Sequence, residues 1–247
     1  MEFDFNRIET YEELKEKIKP LDLIVFRGGD CISDFISELE KECVDTGVFT
    51  HSGIIVTTEI LNIPEIEEGK LYIMESTFSY DIPDIINSGP PDIMTGHGKI
   101  GVQLREFEEV VKDYISNKTT KVAWCNLIKK IEYNEETKDK FQKIFENYIG
   151  RFYDLNFIDL FASLFPKLRE LRHLDTKLSN LIFSHFLKHK YLPSGWQFCS
   201  ELVANIYKKF NILPESINPK NVVPVDFFGY GDVPCIVDKP IFFKKIE

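Results

Sequence analysis

Thr50-His51-Ser52-Gly53-Ile54-Ile55-Val56 and, far downstream, Phe198-Cys199-Ser200-Glu201-Leu202-Val203 are the two stretches on which the fold of this 247-residue chain turns. In the first, a histidine stands at the mouth of a β-branched run, the composition of a strand. In the second, a cysteine opens a segment in which Leu202, Val203, Ile206, Tyr207 and Phe210 recur at helical spacing, an apolar stripe suited to docking on a sheet. The unpaired N–H groups and the dipole at the start of such a helix favour a thiolate. A thiol so placed titrates low enough to react near neutral pH. Taken alone, however, a cysteine is more often a small buried residue than a nucleophile, and a strand-end histidine is more often bonded to a nearby carbonyl. Both acquire meaning from their neighbours.

Working outward, Leu71 to Thr77 forms a second strand-like run, joined to the His51–Thr58 run by a polar, proline-containing loop. Paired as an antiparallel hairpin in the register that sets His51 opposite Glu75, the two side chains leave the same face. A slip of one residue would separate them. Glu75 follows the apolar Tyr72-Ile73-Met74, surroundings in which a carboxylate needs a partner. Gly53 leaves room for something to approach that face. Cys199, His51 and Glu75 thus supply the nucleophile, base and orienting acid of a catalytic triad.

The rest of the chain frames these segments. Residues 10 to 18 read as a short helix capped by Thr10 and ended before Pro20. Leu21 to Phe26 reads as a buried strand, and Asp30 caps a helix through about Glu42. Residues 80 to 99, rich in Pro, Gly and Asp, read as an exposed excursion. Gly101 to Leu104 and Lys121 to Leu127 are strands. Helices are expected from Glu106 to Ser116 and from Glu135 to Ile149, the latter closed by Gly150. Between 155 and 195 the leucines and phenylalanines recur at helical spacing, a helical insert or lid before the cysteine. The proline-containing C-terminal part reads as loops closing on a strand, Ile241 to Phe243. The whole, residues 1 to 247, reads as one elaborated domain.

Composition excludes several function classes. With 43% hydrophobic residues the chain can bury a full core. A net charge of −10 and a pI near 5.1 argue against a nucleic-acid partner, which demands a basic surface. No apolar run approaches the roughly 20 residues of a membrane span, so stable membrane insertion is not expected. Five scattered cysteines, Cys31, Cys43, Cys125, Cys199 and Cys235, contain no tight pair. With an acidic N-terminus unlike a signal peptide, they point to free thiols in a reducing compartment. That compartment is the cytoplasm, or a virion packaged from it; the Ile-, Phe- and Lys-rich composition fits the AT-rich genome of a large DNA virus.

His51-Ser-Gly-Ile-Ile55, Glu75 after a strand, Gly150-Arg-Phe-Tyr-Asp154 and Cys199-Ser-Glu-Leu-Val203 together resemble the permuted papain-like proteins, the YiiX-type branch of the NlpC-like cysteine peptidases and amidases. Leu21-Asp22-Leu23-Ile24 resembles that family's opening Gly-Asp-Leu-Ile strand, with leucine in place of the glycine. The motifs run in the family's order, His, acid, Cys, across most of the chain. The resemblance implies an α+β, circularly permuted papain-like fold, an antiparallel sheet packed against helices. It implies Cys199 as nucleophile, His51 as general base and later acid, and Glu75 as the residue orienting the imidazole. Tyr153, in the Tyr-Asp motif, would line the substrate pocket, with Gly53 and Trp196 as further substrate contacts. No metal or cofactor is implied.

Three other signals carry less. His185-Phe-Leu-Lys-His189 has the spacing of a zinc-binding helix but lacks the glutamate after the first histidine. His97 lies between glycines in an exposed turn. Lys167, Arg169, Arg172 and Lys177 form the charged face of the leucine-rich stretch. The expected function is a cysteine-dependent hydrolase (an amidase or peptidase) or acyltransferase on a peptide, amide or acyl-lipid substrate. The competing class is a non-catalytic binding or structural protein, virion-associated in one form, that keeps the fold.

Overall fold

The computed structural model describes residues 3–4, 6–27, 49–78, 91–96, 100–116, 120–151 and 199–244. The helix expected at 30 to 42, the insert at 155 to 195, His97, His185, His189 and the basic run from Lys167 to Lys177 lie outside the described residues.

One seven-stranded sheet organises the rest, in the order β1-β7-β6-β2-β3-β4-β5. Its strands are β1 (Ile8–Glu9), β2 (Leu23–Arg27), β3 (His51–Val56), β4 (Tyr72–Phe78), β5 (Ile100–Glu106), β6 (Lys121–Cys125) and β7 (Ile241–Phe243). The described helices are α1 (Tyr11–Leu14), α2 (Phe107–Ser116), α3 (Glu135–Tyr148) and α4 (Cys199–Lys209). The molecule is α+β, but the sheet is mixed where an antiparallel one was expected. Every pair is antiparallel except β1–β7, which is parallel. A two-residue strand shows no alternation to read, so β1 had no signature in the sequence.

Alternation along the strands divides the core into two layers. Leu23, Val25, Ile54, Val56, Tyr72 and Met74 face α3 and α4, meeting Phe141, Phe145, Leu202, Val203, Ile206 and Tyr207. Ile24, Phe26, Ile55 and Ile73 face the other way, onto Leu14 and onto Phe107, Val110, Val111 and Ile115 of α2. The helix ends follow local rules. Thr10 and Glu13 form a capping box on α1. Asn134 caps α3 by accepting the Thr137 N–H at 3.0 Å. Asn211, at φ +53°, stops the chain after α4, where the Ile212 N–H returns to the Tyr207 carbonyl at 2.8 Å.

Two residues at the start of β2 tie the layers together. Asp22, 2% exposed, accepts three bonds: from the Lys19 N–H at 2.9 Å, the Trp124 indole N–H at 2.8 Å and the Leu127 N–H at 3.0 Å. Leu21 sits at φ +68°, a left-handed conformation costing a non-glycine residue about 1–2 kcal/mol. Its fully buried side chain offsets that cost, and its carbonyl accepts the Tyr207 hydroxyl of α4 at 2.9 Å. A glycine would adopt that backbone conformation without the steric cost.

The proline-containing stretch expected as loop contains two short 3₁₀ helices, Pro219–Asn221 and Pro224–Phe228, each with proline in its first turn. The first packs against α4, and the second buries Val225, Phe227 and Phe228, with the Phe227 ring 5.7 Å from that of Tyr207 in α4. Among the described residues no helix is long and apolar enough to cross a membrane.

Candidate active site

The β3–β4 ladder runs from Gly53–Glu75 to Val56–Tyr72. Gly53, not His51, therefore lies opposite Glu75, two residues from the expected register. An even slip keeps both side chains on one face and turns the His51–Glu75 pair from direct to diagonal. Gly53 is what permits this pairing. A Cβ there would stand 2.8 Å from Ile73 Cδ1 and 3.0 Å from Glu75 Cβ, so the space it leaves is taken by those two side chains. Across the diagonal, His51 Nε2 is hydrogen-bonded to Glu75 Oε2.

The other oxygen of the carboxylate meets a residue that the sequence reading passed over. Arg105 of β5 pairs with Ile73 and so lies diagonal to Glu75. Its Nε and Nη2 donate to Glu75 Oε1 at 2.9 and 2.5 Å. Both groups are buried, Glu75 fully and Arg105 at 2% exposed. Burial by itself would raise the Glu75 pKa, but the Arg105 guanidinium and then His51 overcome it and hold the carboxyl down to about 2. In sequence, Gln103 and Arg105 alternate with Val102 and Leu104 and so read as a solvent face. The face is instead covered by α2, and Gln103, directly opposite Glu75, is fully buried. The available signal was an arginine at the same parity as a buried acid on a neighbouring strand.

Cys199 is the first residue of α4 and 5% exposed. It meets His51 at the end of β3, where the ladder with β4 stops at Gly53 and leaves the Ser52 amide beyond the last pair. The sulfur is hydrogen-bonded to the imidazole and accepts from the backbone N–H groups of Ser52 and Ser200. Since Glu75 engages Nε2, Nδ1 is the ring nitrogen left for the sulfur. Burial disfavours both charged forms. Against it, the imidazolium lowers the thiol pKa, helped by the two backbone donors. The thiolate and then Glu75 raise that of His51. The pair is thus biased toward thiolate and imidazolium. The Phe26 ring lies 5.1 Å from the imidazole and 4.6 Å from Tyr114 of α2, backing the histidine with aromatic surface.

Three of the expected site residues, Cys199, His51 and Glu75, are therefore in one hydrogen-bonded chain. Gly53 packs within it, and Tyr153 and Trp196 lie outside the described residues. The other described cysteines are chemically different. Cys125 is buried with its pKa pushed well up by desolvation, and Cys235 is exposed. Among the described residues no cluster of three metal-ligating side chains occurs. No protein-family model and no curated protein matches this chain, so the chemistry of the site has to be argued from its own geometry.

Proposed function

We propose that the protein is a cysteine-dependent hydrolase of the amidase or peptidase type, or an acyltransferase, working through a thioacyl intermediate on Cys199. The observation that carries this reading is the continuous chain from the Cys199 sulfur through the His51 ring to Glu75, with the sulfur at a helix N-terminus. The thiolate attacks the substrate carbonyl, forming a C–S bond. The carbonyl oxygen becomes an oxyanion facing the Cys199 backbone N–H. As the tetrahedral intermediate collapses, His51 gives its proton to the departing amine or alcohol. Neutral His51 then takes a proton from water, or from an acceptor nucleophile, which attacks the thioester and releases the thiolate. Glu75 holds the ring in register and stabilises the imidazolium at both stages. The permuted papain-like family resembled by the sequence uses these three residue types in this order.

The low exposure of Cys199 is the observation that favours the second reading, a non-catalytic binding or structural protein. Alkylation of the native protein with iodoacetamide at mildly acidic pH, read by peptide mass spectrometry, separates the two. Cys199 should label at least about tenfold faster than exposed Cys235, and Cys199→Ala should abolish both this labelling and release of a fluorescent acyl or aminoacyl group. A Cys199 no more reactive than Cys235 would sink the hydrolase reading.

A further inference from the structure

Four groups of alternating charge stand in a row across three strands and a helix end: Cys199, His51, Glu75 and Arg105. Each oxygen of the single carboxylate serves one cation, Oε2 the imidazole and Oε1 the guanidinium. Arg105 is among the largest fully buried side chains of the molecule. An arginine is rarely placed there unless paired, because a buried cation is costly to desolvate. Its two donors pin one oxygen of the carboxylate and the imidazole holds the other, so the two contacts together set where Oε2 points. Among the described residues, charged groups face this row from each neighbouring element. Glu75 faces His51 from β3 and Arg105 from β5. Arg105 also faces Asp113 and Tyr114 of α2, and His51 faces Cys199 from α4.

We infer that Arg105 is a positioning residue for the reaction, acting through Glu75: it anchors the carboxylate as an anion aimed at His51 and thereby keeps the Cys199–His51 ion pair formed. The inference rests on the catalytic reading above. Without the guanidinium, the fully buried carboxyl retains its desolvation and loses its strongest counter-charge, so it takes up a proton in the mildly acidic range. The imidazolium then loses its anion, and proton return from His51 to the sulfur leaves an unreactive thiol.

The test is the pH dependence of Cys199 alkylation by iodoacetamide in the full chain, for wild type, Arg105→Met, Arg105→Lys, Glu75→Gln and the Arg105→Met/Glu75→Gln double variant. Arg105→Met should move the acid limb up by about one pH unit, slowing alkylation roughly tenfold on the acid side and little on the alkaline side. Arg105→Lys, which keeps the charge, should recover most of that shift. In the Glu75→Gln background, Arg105→Met should add less than about a twofold further loss, as expected for residues acting through one contact. An unmoved acid limb in Arg105→Met, or losses that simply multiply in the double variant, would overturn the role assigned to Arg105. If Arg105→Met does not fold, Arg105→Gln, which keeps a donor but removes the charge, decides: an acid limb raised by more than a few tenths of a unit supports the role, and one within a few tenths of a unit of wild type overturns it. These failures are distinct from failure of the catalytic reading, which would show in wild-type Cys199 reacting no faster than Cys235.

Discussion

A methyl group added at Gly53 would press within 2.8 Å of Ile73 Cδ1 and 3.0 Å of Glu75 Cβ. The isoleucine terminus can rotate away, but the Glu75 Cβ is held by the strand. Gly53→Ala should therefore destabilise the protein by about 1–3 kcal/mol, the usual range for overpacking. It should also slow Cys199 alkylation by displacing the carboxylate from His51. A variant with unchanged urea midpoint and unchanged alkylation rate would show that the site tolerates the added carbon. At this scale the site was partly legible. His51, Glu75 and Cys199 announce themselves by residue type and by their place at element ends. Arg105 does not, because an arginine alternating with Val102 and Leu104 reads as a solvent-facing residue until a helix covers it.

At the scale of elements, β2 and β6 are joined by more than their ladder. The buried carboxylate of Asp22 collects the Lys19 and Leu127 amides and the Trp124 indole. Removing the acceptor strands three donors, each costing about 1–3 kcal/mol when buried without a partner. Asp22→Ala is expected to lower unfolding free energy by about 3 kcal/mol or more. Asp22→Asn should lie between it and wild type, because the amide keeps one acceptor but turns a donor toward donors. Equilibrium urea unfolding measures both, and equal losses for the two would show that the side-chain volume, not the acceptor, is what matters. Most helix and strand spans were legible because caps and apolar periodicity are local, but the helix expected over 10 to 18 ends at Leu14, and β1 carried no signature. The 3₁₀ segments at Pro219–Asn221 and Pro224–Phe228 were not, since proline marks both a loop and the first turn of a helix, and only burial of Phe227 and Phe228 separates the two.

For the whole molecule, the charges of the site link folding to pH. Burial opposes ionisation of Glu75, yet Arg105 and His51 bring its folded pKa to about 2, below the ordinary value of 4.5. A depressed carboxylate stabilises the fold at pH values above its ordinary pKa, and that stability is lost as the pH falls toward the folded value. The contribution is about 3 kcal/mol at most. Asp22 acts with opposite sign, because burial outweighs its donors and raises its pKa. His51, raised mainly by the thiolate once its burial is overcome, contributes stability that is present below its ordinary pKa and fades as the pH rises. Wild type should therefore lose urea resistance steeply between about pH 5 and about pH 2, and Glu75→Gln should show a shallower loss across that window. Parallel acid profiles for the two proteins would remove Glu75 from the acid response.

What the sequence by itself determined is local: a cysteine at the start of an amphipathic helix, a histidine at the start of a strand, and an acid of matching parity on the next strand. Periods of 2 and 3.6 residues and the capping residues carry that information within a few positions of each group. What only the tertiary structure decided is how these pieces meet. The two-residue slip that makes His51 and Glu75 diagonal follows from close packing over Gly53, and the parallel β1–β7 edge follows from a contact between distant segments. The inward aim of Arg105 follows from α2 lying over a face that looks polar in sequence. Register, coverage and convergence are set by which surfaces pack together, and packing joins residues far apart in the chain.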